Sequence, residues 1–383
     1  MDSRVLASLD AVAANAWDAL APGGAPFASH AFLAGLERTG CVGGTTGWQS
    51  AHVVLLDAQG LAAAAPTYVK AHSYGEFVFD FAWAQAYARA GLAYYPKLAV
   101  TIPFTPVTGP RLLVRPDLDR ASVARRLIAV LEELAAERSA SSVHALFPGE
   151  ADAVDFDAAG WLGRRDCQFH WVNRGYESFE HYLGSFTAAK RKKVKRERRR
   201  VAESGIRFET WIGGSLDERQ LDAIHALHRD TFLRHGREPY LTRAFFTHAA
   251  RNLGASLLVK AALWRGALVA CAVFFRSADT LYGRYWGAAA DFHSLHFETC
   301  YHQGIEYCIE HGLARFEPGT QGEHKVARGF EPALTRSAHY IADSRFRRAI
   351  AGYLVQEGHS VDAYADAVRA HVPFRHALRG TRE

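Results

Sequence analysis

The chain has 383 residues, 49% of them hydrophobic and 22% charged, which excludes a disordered or fibrous protein and gives room for two ordinary domains. Its five cysteines, Cys41, Cys167, Cys271, Cys300 and Cys308, are odd in number and show no CxxC spacing. That argues against a disulfide scaffold or a zinc ribbon and predicts reduced thiols in a cytoplasm. The net charge of +5 hides an asymmetry: Lys190–Arg200 holds nine basic residues and one acidic residue, so the rest of the chain is mildly acidic.

The first 20 residues carry Asp2, Asp10 and Asp18 and no basic end followed by an apolar run, so no signal peptide is expected. No apolar run reaches the ~18 residues of a membrane span. Helical patterns cover 5–20 and 32–38 around Ala21-Pro22-Gly23-Gly24. Strand composition follows at 51–56 and 61–70, joined by the turn Asp57-Ala58-Gln59-Gly60, then at 94–101 and 111–114. Arg115-Pro116-Asp117 interrupts it, 122–138 reads as a helix, and 143–147 as a short apolar strand. The same order recurs later. Strands at 256–264 and 267–276 flank Arg265-Gly266, and 280–288 is a third strand. The loop Asp291-Phe292-His293-Ser294 leads into a helix over 295–311 stopped by Gly312, and 314–317 is a strand closed by Pro318-Gly319. An α/β (α+β) chain with two copies of a hairpin–strand–helix–strand unit is therefore expected, cut near Arg164 into 1–164 and 165–383, before a strand at 167–173.

The basic segment falls in a pattern that reads as one helix over 176–204, ended by Gly205. At ~100° per residue, Leu183, Phe186, Val194 and Val201 share a stripe with Lys190 and Glu197. The pair Lys190 and Glu197 is a candidate buried ion pair. The remaining cations face outward. Lys190, Arg191, Lys192, Lys193, Lys195 and Arg196 form either a solvated cationic face or a surface for the phosphates of a nucleotide, a tRNA or an anionic lipid. No aromatic residue interrupts Lys190–Arg200, which favours phosphate contact over base stacking.

Polar residues concentrate in an apolar setting between Tyr282 and Phe330. On the strand Tyr282-Gly283-Arg284-Tyr285-Trp286-Gly287, alternation puts Gly283, Tyr285 and Gly287 on one face and Tyr282, Arg284 and Trp286 on the other. The glycines permit close approach of a ligand or of another backbone. On the next helix Tyr301, Ile305, Cys308 and Ile309 make an apolar face that Glu298 shares, and His296, Thr299, Cys300, Gln303 and Tyr307 make the opposite, mixed face. Helix dipole and desolvation would pull the Glu298 carboxyl in opposite directions, leaving a base or an amine-binding group. The loop Gly319-Thr320-Gln321-Gly322-Glu323-His324-Lys325 follows a strand end, where a rigid sheet aims side chains. Glu323 or His324 could accept a proton from an attacking amine, and Lys325 and Arg328 could hold a phosphate or carboxylate. The same charges also suit an ordinary surface turn. No trusted metal-ligand spacing occurs.

These segments, with Phe77-Val78-Phe79-Asp80, Trp83, Tyr87, Tyr94-Tyr95-Pro96-Lys97 and Pro103–Arg111, resemble a bacterial family of predicted N-acyltransferases, also described as peptidoglycan biosynthesis or recognition proteins and related to Fem-type peptidyltransferases. In the C-terminal half the resemblance rests on Leu295–Tyr301 and Gly319–Phe330, and it covers nearly the whole chain. It implies two tandem GNAT-like acyltransferase domains, each a mixed central sheet flanked by helices, and acyl transfer to an amine. GNAT enzymes that use acetyl-CoA usually carry Gln/Arg-x-x-Gly-x-Gly/Ala before a helix, where backbone N–H groups bind pyrophosphate. Neither 115–120 nor 290–294 has that pattern, so the donor is left as acyl-CoA or aminoacyl-tRNA, with the second favoured beside the basic segment.

The expectation is an N-acyltransferase acting on a small-molecule or peptide amine, with Glu298, Glu323 and His324 for proton handling. Arg284, Tyr285 and Trp286 would shape the acceptor pocket. The competing expectation is a non-catalytic binding protein with a GNAT-like cleft, docking RNA or an anionic surface through its basic helix.

Overall fold

The computed structural model describes residues 1–289, 292–320 and 322–375. In chain order the elements are β1 (Asp2–Leu6), α1 (Ala14–Asp18), α2 (His30–Arg38), β2 (Trp48–Ser50), β3 (His52–Asp57), β4 (Gly60–Ala65), β5 (Thr67–Lys70), α3 (Phe81–Arg89), β6 (Lys97–Val100), β7 (Leu113–Val114), α4 (Arg120–Glu137), β8 (Ser142–Leu146) and α5 (Glu150–Ala158). They continue as β9 (Leu162–Val172), α6 (Phe179–Gly184), α7 (Ala188–Glu203), β10 (Ile206–Ile212), α8 (Glu218–Arg234), α9 (Arg243–Leu253), β11 (Leu257–Trp264), β12 (Ala267–Arg276) and β13 (Thr280–Ala288). Last come α10 (Leu295–Phe297), a π turn (Glu298–His302), α11 (Gln303–Glu310), β14 (Arg315–Glu317), β15 (Glu331–Ile341) and α12 (Ser344–Arg369). No helix among the described residues is long and apolar enough to cross a membrane.

Two units result. The first is Met1–Asp166 with Leu334–Asp362; the second is Cys167–Ala333 with the chain from Ala363 onward. The return of 334–362 to the first unit has no counterpart in the sequence expectation of a single cut near Arg164.

In the first unit β6 and β8 are parallel, with Leu98 opposite Val143, and α4 crosses between them. Asp119 caps α4, its carboxylate accepting from Ser122 N at 3.1 Å. Ala124, Leu127, Ile128, Leu131 and Leu134 recur at helical spacing and bury against Val53, Leu55, Leu98 and Val143. β15 completes this sheet, antiparallel to β8 with Ser337 opposite Leu146. The residues Glu76, Asp80, Tyr94 and Lys97 form a buried polar knot. Lys97 Nζ donates to Glu76 at 2.7 Å, to Ser73 at 2.9 Å and to Asp80, while the Tyr94 hydroxyl donates to Asp80 at 2.6 Å. Lys97 brings Asp80 to a pKa of about 2 against the pull of burial.

In the second unit β10, β11, β12 and β13 form an antiparallel run. β14 then joins β13 in parallel, and β9 pairs antiparallel to β14. Thus each unit carries a parallel pair with a helix between its strands, the repeated unit expected from the sequence.

Several local expectations change. The region 5–20 is not one helix: β1 pairs its backbone with β3, and only Ala14–Asp18 is α-helical there. The basic segment is not a continuous helix over 176–204. α6 ends at Gly184, Phe186 turns into the core opposite Phe374, and Thr187 N donates to Pro373 O at 2.9 Å before α7 begins. Leu183, Phe186, Val194 and Val201 are buried, as their stripe requires.

Gly283, Tyr285 and Gly287 do not share a face. Val273 stands opposite Tyr285 and Phe274 opposite Gly283, so Arg284 is an extra residue in a bulge that reverses the alternation. Gly283 lies over Phe316 and Phe274, whereas Gly287 lies against Leu227 of α8. Asp291 and Gln321 lie outside the described residues.

A Cβ at Gly287 would sit 2.4 Å from the carbonyl carbon of Leu227, a backbone atom that cannot swing away. Gly287→Ala is expected to lower the unfolding free energy by about 1–3 kcal/mol, measured by urea denaturation.

Candidate active site

β13 and β14 pair only at Thr280–Arg315, Leu281–Phe316 and Tyr282–Glu317. Beyond them β14 ends at Glu317, just before Pro318, and β13 bulges at Arg284. A cavity of about 80 Å³ occupies this place, lined by Gly283, Arg284, Tyr285, Trp286 and Pro318 from the strands and by His296, Cys300 and Tyr301 from the helix. His296, Cys300 and Tyr301 were expected on opposite helix faces. The π turn inserts a residue into the helical phase and brings all three to one wall.

Arg284, Tyr285 and Trp286 all line this cavity. Trp286 packs edge-on against His296, with ring centres 5.2 Å apart. Burial lowers the pKa of Arg284, and Tyr285 and Glu317 oppose that shift. Cys300 is held as a thiol, since burial raises its pKa well above the ordinary value, so it is no nucleophile at neutral pH.

The helix and loop residues divide. Tyr301 OH is 2.8 Å from His324 Nε2, in hydrogen-bond contact. Burial and the nearby charges of Lys325 and Arg328 lower the His324 pKa, so its ring is neutral at pH 7. Lys325 is buried, donates to Gly319 O at 2.7 Å, and is brought down to about 7 by burial and by Arg284. Glu323 is exposed and accepts from the Tyr364 hydroxyl at 2.9 Å. Glu298 is buried in another network, accepting from Arg198 Nε at 3.1 Å and Gln303 Nε2 at 2.9 Å. Glu298 and Glu323 share none of these partners and neither lines the cavity.

The sequence reading passed over Glu317. It is buried at the end of β14, and burial raises its pKa to about 7 although Arg315 and Arg284 oppose the shift. Its Oε2 has no hydrogen-bond partner among the described residues. It directly precedes Pro318 of the pocket wall and lies within electrostatic reach of Arg284. The available signal was an acidic residue in the last position of an apolar strand, just before Pro-Gly.

α7 reaches this loop through its inner face. Glu197 does not pair with Lys190; it accepts two bonds from Arg328 Nη2, at 3.0 and 2.8 Å. Arg328 outcompetes Lys190 because its fork lies in the buried interior, stacked 3.5 Å over the Phe297 ring. Its Nη1 donates to His324 O at 2.7 Å, which ties the loop's backbone to α7. On the outer face Lys192, Lys193, Lys195 and Arg196 are exposed, Lys190 and Arg191 are half-buried, and Lys195 pairs with Glu180.

Glu197→Ala leaves the Arg328 guanidinium buried without its counter-charge and is expected to cost about 3–5 kcal/mol of stability. Adding Arg328→Met should recover a large part of that loss, since the uncompensated charge goes with it. Urea denaturation of the two variants measures both effects.

The chain matches the model of the FemAB-like family, described as peptidoglycan biosynthesis/recognition, over residues 8–376. No curated protein matches it. Among solved structures, FemX is similar with a TM-score of 0.55 and 11% identity, over 92% of this chain and 100% of that one. The C-terminal domain of a putative lysylphosphatidylglycerol synthetase from Agrobacterium fabrum is similar with a TM-score of 0.52 and 12% identity, over 83% and 89%. A tandem GNAT protein from the clavulanic acid biosynthesis pathway aligns with a TM-score of 0.49 and 15% identity, over 89% and 98%. The fold is mixed α/β in two units and is similar to that of FemX, and the chain belongs to the FemAB-like family.

Proposed function

We propose that this chain is an N-acyltransferase that moves an acyl or aminoacyl group onto an amine at the cavity between β13 and β14. The observation that carries the reading is the buried Glu317 carboxyl, with a pKa of about 7, beside a small pocket that also holds Arg284 and Tyr301. The amine nitrogen attacks the acyl carbon, and Glu317 takes the proton it sheds. Arg284 and protonated Lys325 face the charge that grows on the carbonyl oxygen. Burial raises the Tyr301 phenol pKa, so it stays protonated and donates to the leaving thiolate or ribose oxygen. His324 orients that hydroxyl. Glu298 and Glu323 are assigned supporting roles here, one holding Arg198 and the other Tyr364.

The family's description points to an amine on a peptidoglycan precursor as acceptor. The donor is acyl-CoA or aminoacyl-tRNA. In the first unit, the loop before α4 is occupied by its own groups, with Arg115 paired to Asp57 at 2.6 Å and Asp119 on the helix end, which speaks against a CoA pyrophosphate there. Lys192, Lys193 and Arg196 on α7 have no ion-pair partner among the described residues, and this favours a tRNA-borne donor. The same face supports a second reading, a binding protein that docks RNA without chemistry.

Transfer assayed by mass spectrometry with each donor separates the two readings. Activity should rise with pH through about 7 as Glu317 ionises and fall above it as Lys325 loses its proton. Glu317→Gln should lower kcat/KM by about 10²–10⁴-fold and abolish the rising limb. Lys325→Arg should move the falling limb to higher pH. RNA binding that weakens with salt and with neutralised Lys192, Lys193 and Arg196, together with no transfer from either donor, would establish the second reading instead.

A further inference from the structure

The first unit contains a larger cavity, about 330 Å³, lined by none of the residues used above in the transfer reaction. Its floor and rim come from α5, β9 and β15, and three arginines, Arg164, Arg165 and Arg336, meet there. The volume falls at the lower end of the range for small-ligand sites.

The three guanidinium groups are not equivalent. Arg164 is fully engaged: it donates to both carboxylate oxygens of Glu357, at 2.8 and 2.7 Å, and to Phe79 O at 2.9 Å. It is part of the frame. Arg165 reaches Asp362 at 3.0 Å in a pair where both side chains are about two-fifths exposed, which is a weak and exchangeable contact. Arg336 is exposed, and its side chain has no hydrogen-bond or ion-pair partner among the described residues. Opposing it, the lining holds one acid, Asp157, also exposed. Pro148, Val154 and Ala338 supply apolar wall beside these cations.

We infer that this cavity is a binding site for a small organic anion, an oxyanion head on an apolar or flat body. The head would take Arg336 and Arg165 as a two-armed clamp, and the body would lie on the Pro148, Val154 and Ala338 wall. A guanidinium presents its donors in a planar fork that matches phosphate or carboxylate oxygens. The position of Arg165 is set by a missing side chain. It lies over Gly358 of α12, where an added Cβ would stand 2.9 Å from its Nη2. Gly358 has ordinary helical backbone, so alanine there displaces the arginine without straining the helix.

Isothermal titration calorimetry on the full chain tests this with phenyl phosphate, benzoate and inorganic phosphate. Phenyl phosphate or benzoate should bind saturably with one site per chain, and the tighter of the two identifies the head. Inorganic phosphate should bind more weakly than phenyl phosphate, because it lacks the body. Arg336→Ala should weaken binding at least about tenfold. Gly358→Ala should weaken it several-fold while leaving the melting temperature unchanged or raised. Neutralising Lys192, Lys193 and Arg196 on α7, or Glu317→Gln, should leave the affinity unchanged. The inference is overturned if no probe saturates, if affinity survives Arg336→Ala, or if it is lost with the α7 cations instead. Because the readout is binding in the first unit, it stands or falls apart from the transfer reaction.

Discussion

Everything proposed for the second unit depends on how early β13 and β14 part. Their ladder stops after three residue pairs, and the Phe316 ring explains how the helix can still pack over the gap. The ring is fully buried between Gly283 of β13 and Gly304 of α11, where added Cβ atoms would stand 3.3 and 2.5 Å from it. Two absent side chains therefore let helix, ring and strand stack at close range. The bulge at Arg284 then carries β13 away from its former alternation. A small space lined with cationic and aromatic side chains is left, rather than a filled core.

Neighbours, not residue type, separate Glu298, Glu317 and Glu323. Glu298 receives Arg198 and Gln303, and Glu323 meets a tyrosine hydroxyl at the surface. Glu317 is buried with its Oε2 lacking a partner among the described residues, and the Arg315 guanidinium stands 4.0 Å from its other oxygen. Desolvation outweighs weak attraction there, so its proton is held to near neutrality. The basic helix contacts the loop and the π turn through its inner face. Glu197 and Arg198 clamp the loop and the π turn, so the cationic element and the candidate site are mechanically one piece within this unit.

Around its parallel pair the first unit repeats the order of the second, with β5, β6, β8 and β15 matching β12, β13, β14 and β9, while β1, β3, β4 and β7 form a separate sheet. After β6 and β8 part, the chain returns: Gly109 bridges to Pro148, and Arg111 is buried with its guanidinium donating to Leu146 O at 2.7 Å and Val107 O at 2.6 Å. Those main-chain carbonyls occupy the donors that a substrate would need. The motifs around Asp80 and Lys97 in turn build a closed, hydrogen-bonded knot. Their polar character was visible in the sequence, but their burial was not.

Much of the second unit was legible because its signals are local. The turn Arg265-Gly266 marked the β11–β12 hairpin, and Gly312 and Pro318-Gly319 marked ends. What was missed depends on partners distant in the chain. β1 is a strand because β3 offers it a ladder, and α7 is separated from α6 because Phe186 pairs near Phe374. A bulge and a π turn each add one residue, too small a change to read from periodicity yet enough to reassign every face that follows. The amino-acid sequence by itself determined the family, through the motifs that resemble it, and the repeated order of elements and the concentration of charge, which are written in composition and short-range spacing. Tertiary structure alone decided which carboxylate is desolvated and which cation faces it, because ionisation depends on the dielectric and the charges that folding brings within a few ångströms.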